Sequence, residues 1–274
     1  MSNHLYPGLF YNNGNFSSVD DVLAVEESLT IAINGEPFTV TMRTPGFEDE
    51  LITGLLYSEE VFRDRNDDHV IENTGTNAKG YVTSVNVIIP AHKILKDFAG
   101  TRNIVSASSC GLCGRTSFED TISKNTISEV GLLDPAIISG MFETMSNHQK
   151  SFQQSGGTHA SAAFTLDGKL LSIREDIGRH NAVDKVIGNL LKTQMLESAK
   201  VLTVSGRISY EIVNKALSAG IPFIASVSAP STLAVENARD AGMTLMAFCR
   251  NHKLTIYAHP ERIIQNNETV RANR

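Results

Sequence analysis

The second half of the chain alternates short apolar runs with helical segments, and this alternation narrows the possible folds most. Residues 201–204, 221–227 and 243–248 each have the composition of a buried strand, and a helical segment separates each run from the next. Gly220 and Gly242 stand directly after the two helical segments, where helices commonly end. Strands that alternate with helices through short connections predict a mostly parallel sheet with helices on both faces.

The first half of the chain predicts an α+β arrangement. Asn34-Gly35 separates two β-rich runs, 29–33 and 37–42, and this dipeptide is the strongest short signal for a hairpin. Gly54 weakens an otherwise helical pattern over residues 47–62. The other predictions along the chain are a polar loop over 64–80, a strand over 82–89, a helix over 135–145, a hairpin turning at Asp167-Gly168 and a helix over 182–191.

The same patterns divide the chain into three predicted segments. Residues 1–20 are rich in Asn, Ser and Gly, and we expect them to form a flexible arm. Residues 21–125 are predicted to form an N-terminal α+β domain that ends in a Ser- and Gly-rich loop with two cysteines. Residues 126–274 are predicted to form a C-terminal α/β domain that holds a cofactor.

Composition excludes several classes of protein. The net charge of the 274 residues is -6 at pH 7, whereas a protein that binds nucleic acid through its phosphates is usually basic. The sequence shows neither a signal-peptide pattern nor an apolar run of membrane-spanning length. An odd count of 3 cysteines argues against a disulfide framework. We therefore expect a cytoplasmic protein with no nucleic-acid partner and no membrane association.

Polar residues follow the predicted strands directly. In a parallel α/β sheet, the segments after the strands share one edge, and ligands bind in the crevice there. We therefore hypothesise that Arg174, Arg207 and Arg250 approach one another around an anionic ligand. The four polar clusters are Arg174-Glu175-Asp176, Ser205-Gly206-Arg207, Ser228-Ala229-Pro230-Ser231 and Cys249-Arg250.

Cys110 and Cys113 stand in the loop Ser109-Cys110-Gly111-Leu112-Cys113-Gly114, and their spacing is compatible with three chemistries. A structural zinc site requires four ligands, and no second ligand pair has the usual spacing, so we expect no structural metal. Dithiol redox chemistry and sulfur relay through a persulfide both remain open, because spacing alone does not separate them. A zinc deaminase is disfavoured, because Ala160-Ser161 follows His159 where that motif requires Glu two residues on.

Several motifs resemble those of the FdhD family, the formate dehydrogenase accessory sulfurtransferases. The resemblance covers roughly residues 22–262, with the motifs in order, and it is most specific in the long run from Arg174 to Lys185. The matching stretches are Arg43–Gly46, Ser108–Arg115, Gly156–Ala160, Arg174–Lys185, Ser205–Glu211, Ser228–Ser231 and Phe248–Arg250.

The resemblance implies a sulfurtransferase with a fold like that of cytidine deaminases, a three-layer sandwich. Such a protein accepts sulfur from a cysteine desulfurase and delivers it to the bis(molybdopterin guanine dinucleotide) of the formate dehydrogenase catalytic subunit. Cys110 would carry the persulfide, Cys113 would assist, and a homodimer is plausible. A molybdenum-cofactor chaperone without sulfur transfer is the alternative.

The candidate cofactor-binding residues come from the resemblance and from the strand ends. Arginine forks suit the pyrophosphate oxygens of such a ligand, so an acidic protein can bind it through a local basic patch. Cys249 also fits a packed thiol at the end of a buried strand. The candidates are Phe248, Cys249, Arg250, Asn251, His252, Lys253, Arg174, Arg179, His180, Arg207 and His159.

Overall fold

A computed structural model describes residues 3–63, 69–96, 126–127 and 130–264. The loop that carries Cys110 and Cys113 lies outside these residues. The chain begins with an antiparallel hairpin of β1 (Asn3–Asn12) and β2 (Asn15–Ala24). The prediction of a flexible arm is therefore wrong for residues 3–20. The polar composition hid an Asn13-Gly14 turn, in which both residues adopt positive φ as a two-residue hairpin loop requires.

The first sheet has four strands in the order β4-β3-β6-β5, and one helix packs against it. The turn at Asn34-Gly35 joins the first two strands as predicted. The predicted polar loop over 64–80 was wrong in part, because it contains a strand that is mostly exposed and held by pairing rather than burial. The elements are β3 (Glu27–Ile33), β4 (Glu36–Arg43), α1 (Glu48–Ser58), β5 (Val70–Thr76) and β6 (Val82–Ile88).

The second half of the chain forms a sheet of six strands with five helices around it in the described residues. Helices and strands predicted in this half are present within a few residues of the predicted bounds. The helices are α2 (Ala136–His148), α3 (Lys150–Ser155), α4 (Arg179–Lys192), α5 (Tyr210–Ser218) and α6 (Thr232–Asp240). The strands are β7 (His159–Phe164), β8 (Leu170–Asp176), β9 (Val201–Val204), β10 (Phe223–Ser226), β11 (Thr244–Arg250) and β12 (Lys253–Ala258).

The six strands lie in the order β12-β11-β10-β9-β7-β8, and their directions correct the prediction of a mostly parallel sheet. Strands β9, β10 and β11 pair in parallel, whereas β7 and β12 pair antiparallel to their neighbours. The sheet is mixed because two tight hairpins, β7–β8 and β11–β12, extend the parallel centre. Four strands, β8, β9, β10 and β11, therefore run in the same direction, and β7 and β12 run in the opposite direction.

Helices cover both faces of this sheet, as predicted. On one face α4, α5 and α6 bury a large aliphatic cluster, and on the other face α2 buries a second cluster around Phe164 and Phe223. The arrangement has three layers, and its likeness to cytidine deaminases stays an expectation. Among the described residues, no helix is long and apolar enough to span a membrane.

Helices α1 and α4 cross at backbone contact and join the two sheets. A side chain at Gly54 would meet the Asp184 carbonyl oxygen at 1.9 Å, and one at Gly188 would meet the Glu50 carbonyl oxygen at 1.8 Å. Only glycine permits this approach from both sides. Gly54, which weakened the helix prediction, is therefore required by the packing of α1 on α4.

A buried ion pair adjoins the crossing. The Lys215 ammonium donates to both carboxylate oxygens of Asp184, at 2.8 and 2.9 Å, and to Ser58 Oγ at 2.9 Å. Ser58 also donates to Asp184 Oδ1 at 2.8 Å, so α1, α4 and α5 are tied through one charged cluster. Breaking such a pair leaves a buried charge without compensation, which costs about 3–5 kcal/mol.

We predict that Gly54→Ala destabilises the protein although alanine favours helices. The added methyl group overlaps the backbone of α4, and overpacking costs about 1–3 kcal/mol or more, which exceeds a helix-propensity gain of about 1 kcal/mol. The midpoint of urea unfolding should fall. Gly140 in α2 is the matched control, since a methyl group there meets nothing within 4 Å. Gly140→Ala should raise the midpoint, and equal midpoints for both variants would contradict the crossing.

Candidate functional site

Strand directions bring most of the predicted site residues to one edge of the six-stranded sheet. The carboxyl ends of β8, β9, β10 and β11 lie at this edge, together with the first residues of the oppositely directed β7 and β12. His159 therefore enters the edge from β7 and Lys253 from β12. We call this side of the sheet the ligand edge.

His159, Arg179 and Arg207 form a basic cluster around Gly206. A side chain at Gly206 would lie 3.2 Å from His159 Nδ1 and 3.4 Å from Arg179 Cδ, so both residues pack over this glycine. His159 Nδ1 also lies 3.5 Å from Ser205 Oγ, which accepts from the Ala160 backbone N–H. The absence of a side chain at Gly206 leaves room for the imidazole and the guanidinium side by side.

The electrostatics of this cluster favour an anion. Burial, followed by the charges of Arg179 and Arg207, lowers the pKa of His159, while Asp176 opposes the shift. The imidazole is therefore neutral near pH 7, and the two arginines supply the positive charge. Arg179 Nε is buried and has no hydrogen-bond partner among the described residues, so it is an available donor.

Arg174 does not belong to this cluster, and the hypothesis of three converging arginines is wrong for it. Its guanidinium forms two bonds to the Glu50 carboxylate, at 2.5 and 2.7 Å, and stacks 4.4 Å from the centre of the Phe47 ring. The side chain points to α1 and away from the ligand edge. Arg174 thus ties β8 to the N-terminal sheet and its helix, a role that its position before the strand end did not reveal.

Much of the motif from Arg174 to Lys185 makes similar connections between the two sheets. Asp176 is fully buried, and its carboxylate accepts from the Thr44 backbone N–H and the Lys185 ammonium, at 3.2 and 2.7 Å. Lys185 also donates to the Thr44 carbonyl at 2.9 Å, and Asn181 donates to the Met42 carbonyl at 2.7 Å. The motif Arg43–Gly46 and this motif therefore contact each other directly.

Two further residues of the motif have local structural contacts. Glu175 accepts from the backbone N–H groups of Ser151 and Phe152, at 2.9 and 2.8 Å, and so caps the start of α3. His180 is 3% exposed, and its Nε2 lies 3.2 Å from Ser209 Oγ between α4 and α5. Packing against α5, rather than contact with the open edge, is the role that this geometry gives to His180.

The turn between β11 and β12 forms the second part of the ligand edge. Phe248, Asn251 and His252 all adopt positive φ, between 50° and 58°, and a register shift falls between Ala247 and Arg250. Arg250 Nε donates to the Val227 carbonyl at 2.8 Å, which attaches the turn to the segment after β10. Residues 248–253, predicted as one cofactor-contacting stretch, thus form the irregular end of the β11–β12 hairpin, with Asn251 and His252 as its turn.

Cys249 differs from its neighbours in this stretch. Its thiol packs in the core cluster beside α2 and is 5% exposed, as a packed thiol should be. Burial raises the pKa of Cys249 to about 11. The thiol is therefore protonated at neutral pH and is a poor nucleophile.

A cavity of about 330 Å³ lies beside this turn, at the start of α6. The rings of Phe248 and Tyr257 form an aromatic wall, with centroids 6.4 Å apart. Glu236 and Arg239 of α6 also line the cavity, and Ser231 caps the helix by accepting from the Ala234 backbone N–H at 3.2 Å. The volume lies within the usual range of about 300–1,000 Å³ for small-molecule sites.

Sequence reasoning did not identify Glu236, Arg239 and Tyr257. Glu236 and Arg239 stand in a helix whose polar face gives no functional signal, and Tyr257 lies on a strand, β12, that was not predicted. In the described ranges, no group of three His, Cys, Asp or Glu side chains is placed to hold a metal ion. The ligand edge thus carries a basic cluster at Gly206 and an aromatic cavity beside the β11–β12 turn.

Comparisons with known proteins agree on one family. The FdhD/NarQ family model matches residues 24–264. A protein of Streptomyces avermitilis named sulfur carrier protein FdhD is 40% identical over 259 residues, covering 92% of each chain. One of the same name from Sulfolobus acidocaldarius is 42% identical over 252 residues, covering 92% of this chain and 94% of its own.

A solved structure shares the fold. A crystal structure of a protein from Desulfotalea psychrophila, described as a formate dehydrogenase accessory protein, matches with a TM-score of 0.74 and 23% identity, over 96% of this chain and 100% of its own. The family match spans both sheets and both parts of the ligand edge. By sequence and by fold, the chain belongs to the FdhD/NarQ family.

Proposed function

We propose that this protein is a sulfur carrier for formate dehydrogenase. It accepts sulfur from a cysteine desulfurase as a persulfide on Cys110 and delivers it to bis(molybdopterin guanine dinucleotide). The observation that carries the proposal is the 40–42% identity, over about nine-tenths of the chain, to relatives named sulfur carrier protein FdhD. The basic cluster and the aromatic cavity support bis(molybdopterin guanine dinucleotide) as the acceptor of the sulfur.

The thiol chemistry supports Cys110 and Cys113 as the reactive pair. The chain has 3 cysteines, and burial with a raised pKa removes Cys249 as a nucleophile. In the first step the Cys110 thiolate attacks the outer sulfur of the donor persulfide, and the donor cysteine leaves as a thiolate. In the second step the acceptor supplies an electron pair to the outer sulfur, the S–S bond breaks, and Cys110 leaves as a thiolate. Cys113 assists as a secondary thiol.

The ligand edge fits the two chemical parts of the proposed acceptor. Arg179 and Arg207 suit pyrophosphate oxygens, because guanidinium forks donate paired hydrogen bonds to such groups. A guanine ring fits between the aromatic wall of Phe248 and Tyr257 and the Glu236 carboxylate, which can accept from the guanine N–H groups. Neighbouring strands lie about 4.8 Å apart, so the end of β9 and the end of β11 are about 10 Å apart.

Two alternatives remain as rivals of this proposal. A cofactor chaperone would bind the same ligand and transfer no sulfur, and the presence of a ligand edge among the described residues is compatible with it. A dithiol redox protein would cycle Cys110 and Cys113 through a disulfide. The proposal places the protein in the cytoplasm, because free thiols persist in a reducing compartment. Its partners are the desulfurase, the formate dehydrogenase catalytic subunit and a second copy of the chain.

We predict that Cys110 gains one sulfur atom from a desulfurase. After incubation with a cysteine desulfurase and cysteine, intact mass spectrometry should show an adduct of about 32 Da, which a thiol reductant removes, and peptide mapping should place it on Cys110. Cys110→Ala should abolish the adduct and the activation of formate dehydrogenase.

The controls separate the relay from its rivals. Cys249→Ala should keep the adduct, because the buried thiol takes no part. If the protein is a chaperone, the Cys110→Ala variant should still activate the dehydrogenase. If it is a redox protein, oxidation should lower its mass by about 2 Da, in place of the gain of about 32 Da. Either result would contradict the relay.

We predict that His159 makes anion binding depend on pH. A bound anion offsets the charges of Arg179 and Arg207, so it raises the pKa of His159, and binding takes up a proton. The affinity for GDP, measured by calorimetry, should therefore rise as the pH falls below about 6.5, by about threefold to tenfold at pH 5.5 relative to pH 8.

His159→Gln is the matched control, because glutamine keeps hydrogen-bonding groups and does not titrate in this range. The ratio of wild-type to His159→Gln affinity cancels the titration of the GDP phosphates. Parallel pH profiles for the two proteins would show that His159 does not face the anion.

A further inference from the structure

Asp176 is a buried carboxylate whose two oxygen atoms bond different parts of the protein. It is the last residue of β8 and is 0% exposed. Its Oδ2 accepts from the Thr44 backbone N–H, just after β4, and from the Lys185 ammonium. Its Oδ1 accepts from the Gly178 backbone N–H at 2.8 Å and from Asn181 Nδ2 at 3.1 Å. One carboxylate therefore holds the N-terminal sheet and the start of α4 at the same time.

The bond from Gly178 to Asp176 places the first residue of α4. Gly178 is the N-cap of this helix, and Arg179 is its first residue. A side chain at Gly178 would lie 3.4 Å from Asp176 Oδ1 and 2.8 Å from Asn181 Nδ2, so the backbone is in close contact with its acceptor. Arg179 packs over Gly206, and its buried Nε has no hydrogen-bond partner among the described residues. The direction of this donor is thus set by a helix start that Asp176 holds.

The register of β7 and β8 also brings Asp176 next to His159. The two residues are direct partners in the antiparallel pair, so their side chains share one face of the sheet, with Cβ atoms about 5 Å apart. Three charged groups act on the imidazole from the elements around it: Asp176 of β8, Arg179 of α4 and Arg207 after β9. Asp176 is the one anion among these three, and its charge opposes the two arginines.

We propose that Asp176 is the positioning residue of the basic cluster at Gly206. It fixes Arg179 through the start of α4, and it offsets part of the positive charge around His159, so the cluster is arranged before an anion binds. Because its other oxygen bonds Thr44, the same carboxylate links the anion site to the position of the N-terminal sheet. The inference rests on the proposed binding of an anion at the ligand edge and not on the sulfur relay.

A purely structural role for Asp176 predicts a different outcome at His159. Burial is the largest cause that lowers the pKa of His159, so a variant that only loosens the packing should admit water and raise this pKa. Loss of the Asp176 charge has the opposite sign, because the protonated ring loses its anionic neighbour and the pKa falls. The direction of the change therefore separates the two roles.

The test removes the buried Lys185–Asp176 pair as a unit. Asp176→Asn alone leaves the ammonium buried without its partner, which strongly destabilises a protein. In Asp176→Asn with Lys185→Met, the net charge of the chain is unchanged, methionine fills the space of the lysine chain, and the asparagine carbonyl keeps one acceptor. Asp184→Asn with Lys215→Met is the matched control, because it removes a second buried Lys–Asp pair, which lies at the α1–α4 crossing.

The first measurement is the pKa of His159, by NMR titration of the ligand-free protein. The chain has 8 histidines, and the spectrum of His159→Gln identifies the resonance. The pKa should fall in the Asp176 double variant and stay unchanged in the Asp184 double variant.

The second measurement is the affinity for GDP at pH 8, by calorimetry. The His159 ring is neutral at this pH in each protein, so the comparison reports on the placement of Arg179. The Asp176 double variant should bind at least about tenfold more weakly than wild type, about the loss of one charge-assisted hydrogen bond. The Asp184 double variant should bind as tightly as wild type.

A raised or unchanged pKa of His159 in the Asp176 double variant would overturn the positioning role, and so would equal GDP affinities in the two double variants. The titration needs no ligand, so it decides the role of Asp176 even in a protein that does not bind GDP. Failure of the wild type to bind GDP would instead contradict the proposed acceptor site. The mass adduct on Cys110 reports on the relay separately.

Discussion

The close crossing of α1 and α4 is the contact on which the rest of the structure depends. Backbone meets backbone at Gly54 and Gly188, and the Lys215–Asp184 pair lies beside the crossing with Ser58 as a third partner. A buried charge tolerates little displacement, because its hydrogen bonds replace water that cannot enter. The crossing therefore fixes the angle and the distance between the two sheets together.

This constraint separates two kinds of residue that stand side by side in the sequence. Arg174, Asp176 and Lys185 face the N-terminal sheet and hold it, whereas Arg179 and His159 face the ligand edge. Neighbouring positions serve different purposes because successive side chains of one strand or helix point to different sides of that element. A specific motif can thus identify a family while many of its residues act in folding.

Local signals predicted the fold where a single interaction decides the structure. The Asn34-Gly35 turn needs only its own positive φ values, and the glycines after α5 and α6 need only a helix end. Strands β5 and β12 escaped prediction because they are held by pairing at an edge and show weak alternation of apolar residues. Each pairs with its neighbour in the chain, β6 or β11, but no Asn-Gly or Asp-Gly turn joins the pair, so the strongest local hairpin signal is missing.

The candidate site was predictable in outline and not in detail. The polar residues at the ends of β8 and β11 and directly after β9 indicated the edge, since the ends of strands that run in one direction share a side of the sheet. The contact of Arg174 with Glu50 spans 124 residues, and the cavity depends on Glu236 and Tyr257 meeting across α6 and β12. Such details follow from tertiary packing alone.

The turn from Phe248 to His252 has a consequence for how a ligand is recognised. Three residues other than glycine adopt left-handed backbone there, at an intrinsic cost of about 1 kcal/mol or more each, and the surrounding hydrogen bonds to Val227 and Ser228 maintain them. Folding has already offset this conformational cost before any ligand binds. The turn therefore acts as a rigid template, and selectivity at this end of the sheet comes from shape that exists in advance rather than from adjustment on contact.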